Sequence, residues 1–223
     1  RMGNCRPFDV LTGCSAGSIN AAYLASQATD MVAGAQRLRR IWNNVTTQQV
    51  FRTDVTSLFR IAVDWLLQLF AGGWSEDSLP MGLLDTTPLR RLITDHVDYY
   101  KIDRYIQAGV LGSLAITAVN YGNGYSSTFY QSGGRYPPWI RARREVKETR
   151  ITAEHVLAST AIPMLFPPIK SGNGYYGDGN VRNSTPLSPA IKLGADRLIV
   201  IGVRQWQGGT PPPMEYGNPS PGR

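Results

Sequence analysis

A serine between two glycines, at residues 13–17, is the feature of the chain most able to do chemistry. The stretch reads Gly-Cys-Ser-Ala-Gly, the spacing of a nucleophile elbow, where a serine hydroxyl is exposed on a sharp turn between a strand and a helix. A β-prone run precedes it at 8–12, and a run of small residues at 18–25 predicts a helix after it. We therefore predict that Ser15 is a nucleophile. The rest of the turn is formed by Gly13, Cys14, Ala16 and Gly17, and we expect the flanking glycines to let strand, helix and substrate approach closely.

A serine hydroxyl needs a base to accept its proton and a group that orients that base. The chain has two histidines, His96 and His155. No histidine follows His155, whereas the usual α/β-hydrolase order places the catalytic histidine late in the chain. Surface or packing roles are the simpler interpretation of both. A Ser-His-Asp triad that uses His155 stays open, because triads occur in several chain orders.

A second candidate for the base is Asp178, in the run Gly177-Asp178-Gly179-Asn180. Glycines on both sides leave the carboxylate with little steric cover, so that another residue can approach it closely. Asp-Gly pairs are also common in plain turns. Together with the elbow serine and the lack of a well-placed histidine, the loop indicates that Asp178 accepts the Ser15 proton and then helps to activate water.

Length and composition indicate one globular domain. The chain has 223 residues, of which 42% are hydrophobic and 17% are charged, enough to bury a core. Two cysteines, Cys5 and Cys14, are too few for a disulfide framework, which is compatible with a reducing compartment. Cysteines and histidines show no metal-ligand spacing. We expect no metal and no cofactor, and a cytoplasmic location with peripheral membrane contact.

The formal net charge of +7 favours anionic partners. A dense basic cluster precedes residue 152, and its members are Arg141, Arg143, Arg144, Lys147 and Arg150. Two interpretations stay open: a solvated loop, or a patch that binds anionic lipid headgroups. No nucleic-acid-binding motif accompanies the charges, so no nucleic-acid partner is expected.

Helix and strand signals alternate along the chain, which favours an α/β sheet covered by helices. Helices are predicted from a Thr29 cap to about residue 42, from 86, over 152–160 and over 186–193. The helix over 186–193 is expected to be capped by Ser184 or Thr185 and to end before Gly194. Residues 114–120 and 126–131 predict a hairpin. The apolar run 198–203 predicts a strand buried on both faces.

Two segments have a distinct composition. Residues 56–70 predict an apolar helix with a narrow polar stripe, either buried in the domain or covering the active site and touching lipid. This helix is too short and too charged to span a bilayer. Residues 208–223 are dominated by Pro and Gly and predict a tail or linker. The hydrolase domain is therefore expected to cover residues 1–207.

Three stretches in order resemble the patatin-like phospholipase family, of the bacterial type: residues 10–22 around the elbow, 158–168, and 176–187 around Asp178. The resemblance implies a three-layer α/β/α fold. It also implies a lipid acyl hydrolase with a Ser-Asp dyad, in which Ser15 is the nucleophile and Asp178 the base, and an acyl-enzyme. Phospholipids or other lipids would be the substrates, with no metal or organic cofactor.

The chain departs from that family's pattern in three ways. Asn180 stands where the family has Gly or Ala, and asparagine tolerates a left-handed backbone. Cys14 stands where Thr is usual. Nothing before Gly13 resembles the family's glycine-rich oxyanion loop, so we expect that loop to precede residue 1 and this chain to be a fragment of weak or no activity. The backbone N–H of Ala16 is then the oxyanion donor present, and a catalytically inactive lipid-surface binding module is an alternative function.

Overall fold

In a computed structural model of the chain, residues 7–52, 84–182 and 187–202 are described. Within these ranges a six-stranded mixed sheet is covered by helices. The strands are β1 (Val10–Cys14), β2 (Ser113–Asn120), β3 (Ser126–Gln131), β4 (Arg144–Glu148), β5 (Ile169–Ser171) and β6 (Gly174–Asp178). The helices are α1 (Ala16–Ser26), α2 (Met31–Asn44), α3 (Thr47–Val50), α4 (Thr87–His96), α5 (Tyr99–Gln107), α6 (Ala153–Thr160) and α7 (Leu187–Lys192), with a 3-10 turn at Gly179–Val181.

Strand β2 is the centre of the sheet, and its two edges are used differently. Along one edge it pairs with β3 in antiparallel register, forming the hairpin that the sequence predicts. Its other edge is shared: β1 pairs with the first half in parallel, and β6 pairs with the second half in antiparallel register. Strand β4 extends the sheet beyond β3, and β5 extends it beyond β6.

The alternation of side chains along β2 divides the core between the two faces of the sheet. Leu114, Ile116 and Ala118 belong to the larger cluster, which includes the buried alanines of α1 and Val156 of α6. Ala115 packs with Tyr130 and with residue 193, just after α7, in a smaller cluster. Helices thus flank the sheet, which confirms the three-layer α/β/α arrangement.

The predicted helix starts need one correction. Helix α2 is capped by Asp30 and not by Thr29, because the Asp30 carboxylate accepts the N–H of Ala33 at 3.2 Å. The Thr29 hydroxyl instead lies 3.3 Å from that of Tyr105. Thr152, the first residue of the helix predicted over 152–160, is the N-cap of α6.

The buried strand predicted at 198–203 is wrong for the residues that the structure describes. Residues 198–202 form no strand, and Ile199 and Ile201 are 74% and 94% exposed. A β-branched apolar run becomes a strand only where another strand offers hydrogen-bond partners, and no described strand pairs with this one. The predicted helix at 56–70, the caps Ser184 and Thr185 and the tail at 208–223 lie outside the described residues. Gly194 follows α7 with φ of +83°, as a helix-ending glycine should.

The contact between β1 and α1 generates a prediction about the two elbow glycines. A methyl group at Gly13 would overlap the carbonyl of Gly17 and lie 2.6 Å from the Cα of Ser18, whereas one at Gly17 would meet nothing within 4 Å. We expect Gly13→Ala to lower the free energy of unfolding by about 3 kcal/mol or more, since the obstacle is backbone. Gly17→Ala, the matched control, should leave it unchanged or raise it by up to about 1 kcal/mol. Chemical denaturation checks both, and equal effects would contradict the packing argument.

Candidate active site

The site forms where two strands end against the same edge of β2. In the register of the sheet, Cys14 at the end of β1 pairs with Thr117, and Asp178 at the end of β6 pairs with Ala118. Because β1 and β6 run in opposite directions, their carboxyl ends meet. The residue that follows β1 is Ser15, so the topology brings it to Asp178.

Ser15 and Asp178 are joined by a short hydrogen bond. The Ser15 hydroxyl donates to Oδ2 of Asp178 at 2.6 Å. Ser15 has a φ of +52° and a ψ of −131°, a backbone conformation rare outside glycine. Such a conformation costs about 1–3 kcal/mol and persists where its surroundings hold it. The turn that aims the hydroxyl is therefore strained, as expected of a nucleophile elbow.

Asp178 is held on three sides. Its side chain is buried, with 5% of the residue exposed. Oδ2 accepts the Ser15 hydroxyl, and Oδ1 accepts the N–H of Asn180 at 2.8 Å. Its own N–H donates to the carbonyl of Ala161, just after α6, at 2.8 Å. The N–H of Asn180 thus orients the carboxylate, and the bond to Ala161 holds the backbone that carries it.

The Asp178 loop corrects the expectation for Asn180. Its φ is not positive, since it lies in the 3-10 turn that follows Asp178. Its side chain is exposed, and the site uses only its N–H. Position 180 therefore needs only a backbone N–H, which any non-proline residue supplies, and it does not need the left-handed backbone that asparagine tolerates.

Gly179 is required by the close meeting of the strands. A methyl group there would overlap the carbonyl of Thr117 and lie 2.7 Å from Sγ of Cys14. By contrast, the open surroundings of Gly17 correct the expectation that both elbow glycines are needed for close packing. Of the two elbow glycines, close packing within the described residues explains Gly13 alone.

Cys14 lies beside the dyad without competing with it. Burial, followed by the nearby Asp178 carboxylate, raises the pKa of its thiol to about 12. The thiolate is the reactive form of cysteine, and at neutral pH this side chain stays protonated. Ser15 is therefore the better nucleophile of the two.

A tyrosine that the sequence did not single out lies next to the dyad. The Tyr121 ring packs directly over Gly177, where a methyl group would overlap its hydroxyl. Burial and the Asp178 carboxylate raise the pKa of Tyr121, so the phenol is neutral. Only the hairpin turn that contains it was visible in the sequence.

The sequence also missed Ser159, the penultimate residue of α6. Its hydroxyl accepts the backbone N–H of Ser15 at 2.9 Å and donates to the carbonyl of Thr117 at 2.6 Å. The available signal was the family-like stretch 158–168, which contains Ser159 but did not indicate its contacts.

His155 is not brought to Ser15. Its Nδ1 accepts the N–H of Thr152 at 3.1 Å and so caps α6, and its Nε2 lies 3.5 Å from the Ser171 hydroxyl. Its ring packs on Phe129 with centroids 4.6 Å apart. The geometry of a Ser-His-Asp triad is therefore absent among the described residues. Both ring nitrogens of His155 face other partners, and the Ser15 hydroxyl already donates its hydrogen bond to Asp178.

Ala16 begins helix α1 and is exposed. Among the described residues, its N–H meets no acceptor. The first N–H groups of a helix carry partial positive charge and favour an anion.

Across the described ranges, no group of three His, Cys, Asp or Glu residues could bind a metal, and none of the described helices is long and apolar enough to cross a bilayer.

A family model described as "Patatin-like phospholipase" matches residues 2–191. The matched range includes the elbow, the 158–168 stretch and the Asp178 loop, in the order that the sequence predicts. No curated protein matches the chain.

The buried cap on α6 generates a prediction about pH. Burial lowers the pKa of His155, an effect that the Glu154 carboxylate only partly opposes. As pH falls through about 6.5, the unfolded chain binds a proton that the folded chain resists. The free energy of unfolding should then decrease by up to about 1.4 kcal/mol per pH unit, the limit for one proton. Denaturation at several pH values from 8 to 5 measures this slope, and in His155→Gln it should flatten. An equal slope in the variant would contradict the assignment.

Proposed function

The chain belongs to the patatin-like phospholipase family, a family of lipid acyl hydrolases, and we propose that it hydrolyses fatty-acyl esters of phospholipids or other lipids through a Ser15–Asp178 dyad. The observation that carries this proposal is the 2.6 Å hydrogen bond from the Ser15 hydroxyl to Asp178. A nucleophile within hydrogen-bond reach of an oriented base is the geometry that acyl transfer requires.

The proposed reaction has two halves. Ser15 Oγ attacks the ester carbonyl carbon while its proton passes to Asp178. The tetrahedral intermediate then collapses, and the leaving alcohol takes that proton, which leaves an acyl-enzyme on Ser15. In the second half Asp178 accepts a proton from water, and the resulting hydroxide attacks the acyl carbon. Ser15 regains the proton as the fatty acid leaves.

The negative oxygen of each intermediate needs donors. We assign the N–H of Ala16 as one, because it opens α1 and is free of other acceptors within the described residues. The Ser15 N–H is already bonded to Ser159. The positive end of the α1 dipole adds to the stabilisation of this oxygen.

Apolar side chains beside the dyad support a lipid substrate. The segment after Ala161, whose carbonyl binds the Asp178 amide, exposes Ile162, Met164 and Leu165. Met164 is 78% exposed and has a φ of +68°. Exposed apolar groups gathered beside a site mark a surface that binds apolar ligands. We propose that they contact acyl chains.

The basic cluster supports membrane contact through one part only. Arg150 pairs with Asp103 and Lys147 with Glu145. In the sheet register, Arg144 lies opposite Ser126, Ser126 opposite Val119, and Val119 opposite Gly177. Arg144 is therefore level with Gly177, three strand spacings or about 14 Å from it.

The turn before Arg144 has the composition of a lipid-binding surface. Arg141 and Arg143 are exposed on it, and Ile140 before them is fully exposed. An apolar tip next to cations suits an anionic bilayer. We propose that this turn contacts anionic phospholipid.

The dyad is tested by replacing each member. We expect Ser15→Ala to abolish labelling by a fluorophosphonate probe and turnover of a soluble ester. Asp178→Asn should lower kcat by roughly 10²–10⁴-fold, since it removes the base. His155→Ala is the control, and it should retain kcat while it lowers stability.

Three outcomes would contradict this mechanism. Labelling that survives Ser15→Ala would rule out this nucleophile. Turnover lost in His155→Ala but kept in Asp178→Asn would favour the triad. Anionic vesicle binding by a wild-type chain without esterase activity would favour the inactive lipid-binding module.

Membrane contact is tested by charge reversal. We expect Arg141→Glu with Arg143→Glu to weaken binding to phosphatidylglycerol-containing vesicles by at least roughly 30-fold, because each lost cation near the surface contributes about 1 kcal/mol and each new carboxylate is repelled. Added salt should weaken wild-type binding in the same direction. The matched control reverses Lys101 and Arg104 on α5, which lies by the opposite end of β2. Binding is measured by vesicle sedimentation. Equal losses of binding in both double variants would refute a specific role of the turn at Arg141 and Arg143 in membrane contact.

A further inference from the structure

The backbone N–H of Ser15 is left without a partner from its own strand or helix. The β1 ladder ends at Cys14, and helix α1 begins after Ser15. The carbonyl of Ser15 accepts the N–H of Ser18 at 2.8 Å and its hydroxyl at 2.6 Å. The Ser15 N–H therefore needs an acceptor from another part of the fold, because an unpaired donor inside the protein costs about as much free energy as a lost hydrogen bond.

Ser159 supplies the missing acceptor, and its geometry fixes the direction of the bond. Its hydroxyl carries one proton, which goes to the carbonyl of Thr117 at 2.6 Å. The lone pairs are therefore free to accept the Ser15 N–H at 2.9 Å. Ser159 is fully buried, so no water competes for either bond.

The use of this hydroxyl is unusual for a serine inside a helix. Ser and Thr in helices commonly bond a carbonyl of the preceding turn. The next residue does so, since the Thr160 hydroxyl donates to Val156 and Leu157 carbonyls at 3.2 and 3.0 Å. Ser159 instead bonds two other elements, β2 and the elbow.

We propose that Ser159 is a positioning residue for the nucleophile. It holds the Ser15 peptide in the left-handed conformation that aims Oγ at Asp178, and it anchors that peptide to β2 through Thr117. Because Ser159 already accepts the Ser15 N–H, that N–H cannot donate to the oxyanion. The oxyanion must instead be bound by the N–H of Ala16 and by other donors. This role rests on the proposed hydrolase function, although the hydrogen bond itself can be tested separately.

The first experiment compares Ser159→Ala with Thr160→Val. Both variants remove a buried hydroxyl from neighbouring positions of α6, but only Ser159 contacts the elbow. With a soluble ester we expect Ser159→Ala to lower kcat, and the rate of fluorophosphonate labelling, by about tenfold or more, with KM within about twofold of the wild-type value. Thr160→Val should keep both rates near wild type. Equal losses in the two variants, or no loss in Ser159→Ala, would overturn the proposal.

A second measurement uses the wild-type chain and so does not depend on whether a variant folds. Amide hydrogen exchange of the full wild-type chain, resolved to single residues, should show a protected N–H at Ser15 and a fast one at Ala16. Exchange at Ser15 as fast as at Ala16 would overturn the proposal. A chain with no esterase activity but a protected Ser15 amide would contradict the proposed function and leave the hydrogen bond established, so the two failures are distinguishable.

Discussion

Two strands end against the same edge of β2, and the rest of the site depends on that meeting. Cys14 and Asp178 occupy consecutive register positions, opposite Thr117 and Ala118. Strands in line with each other cannot overlap, so each must turn away from the sheet immediately. One turn is the elbow at Ser15, and the other is the 3-10 turn after Asp178. The junction leaves no room for a side chain at residue 179.

The junction also explains how a strained residue is retained. Ser15 has a backbone conformation that costs about 1–3 kcal/mol, and its peptide groups are bonded by residues from two helices. Ser18 of α1 binds its carbonyl, and Ser159 of α6 binds its N–H. Both partners are buried. Because packing holds these groups before substrate binds, Ser15 and Asp178 would need little reorganisation in the proposed reaction.

The proposed use of a carboxylate as the base has a structural consequence. Histidine can be oriented by one bond to its second nitrogen, but a carboxylate has two equivalent oxygens that must be distinguished. Here the N–H of Asn180 occupies Oδ1 and leaves Oδ2 for Ser15. The histidine that could have served instead, His155, caps a helix and is buried beside Phe129. Its lowered pKa affects stability in acid, not the proton transfer.

The sequence by itself determined the local features: the elbow, the 114–131 hairpin, the helix over 152–160 and the loop at Asp178. Each depends on residues adjacent in the chain, whose preferences for turns, caps and strands are short-range. The tertiary structure alone decided which distant residues meet. It placed Ser159 against Ser15, 144 positions away, kept His155 from the dyad, and left Ile199 and Ile201 exposed where periodicity predicted a buried strand. Strand pairing and helix packing set those contacts, and a linear pattern carries no record of the partner that a hydrogen-bonding group will find.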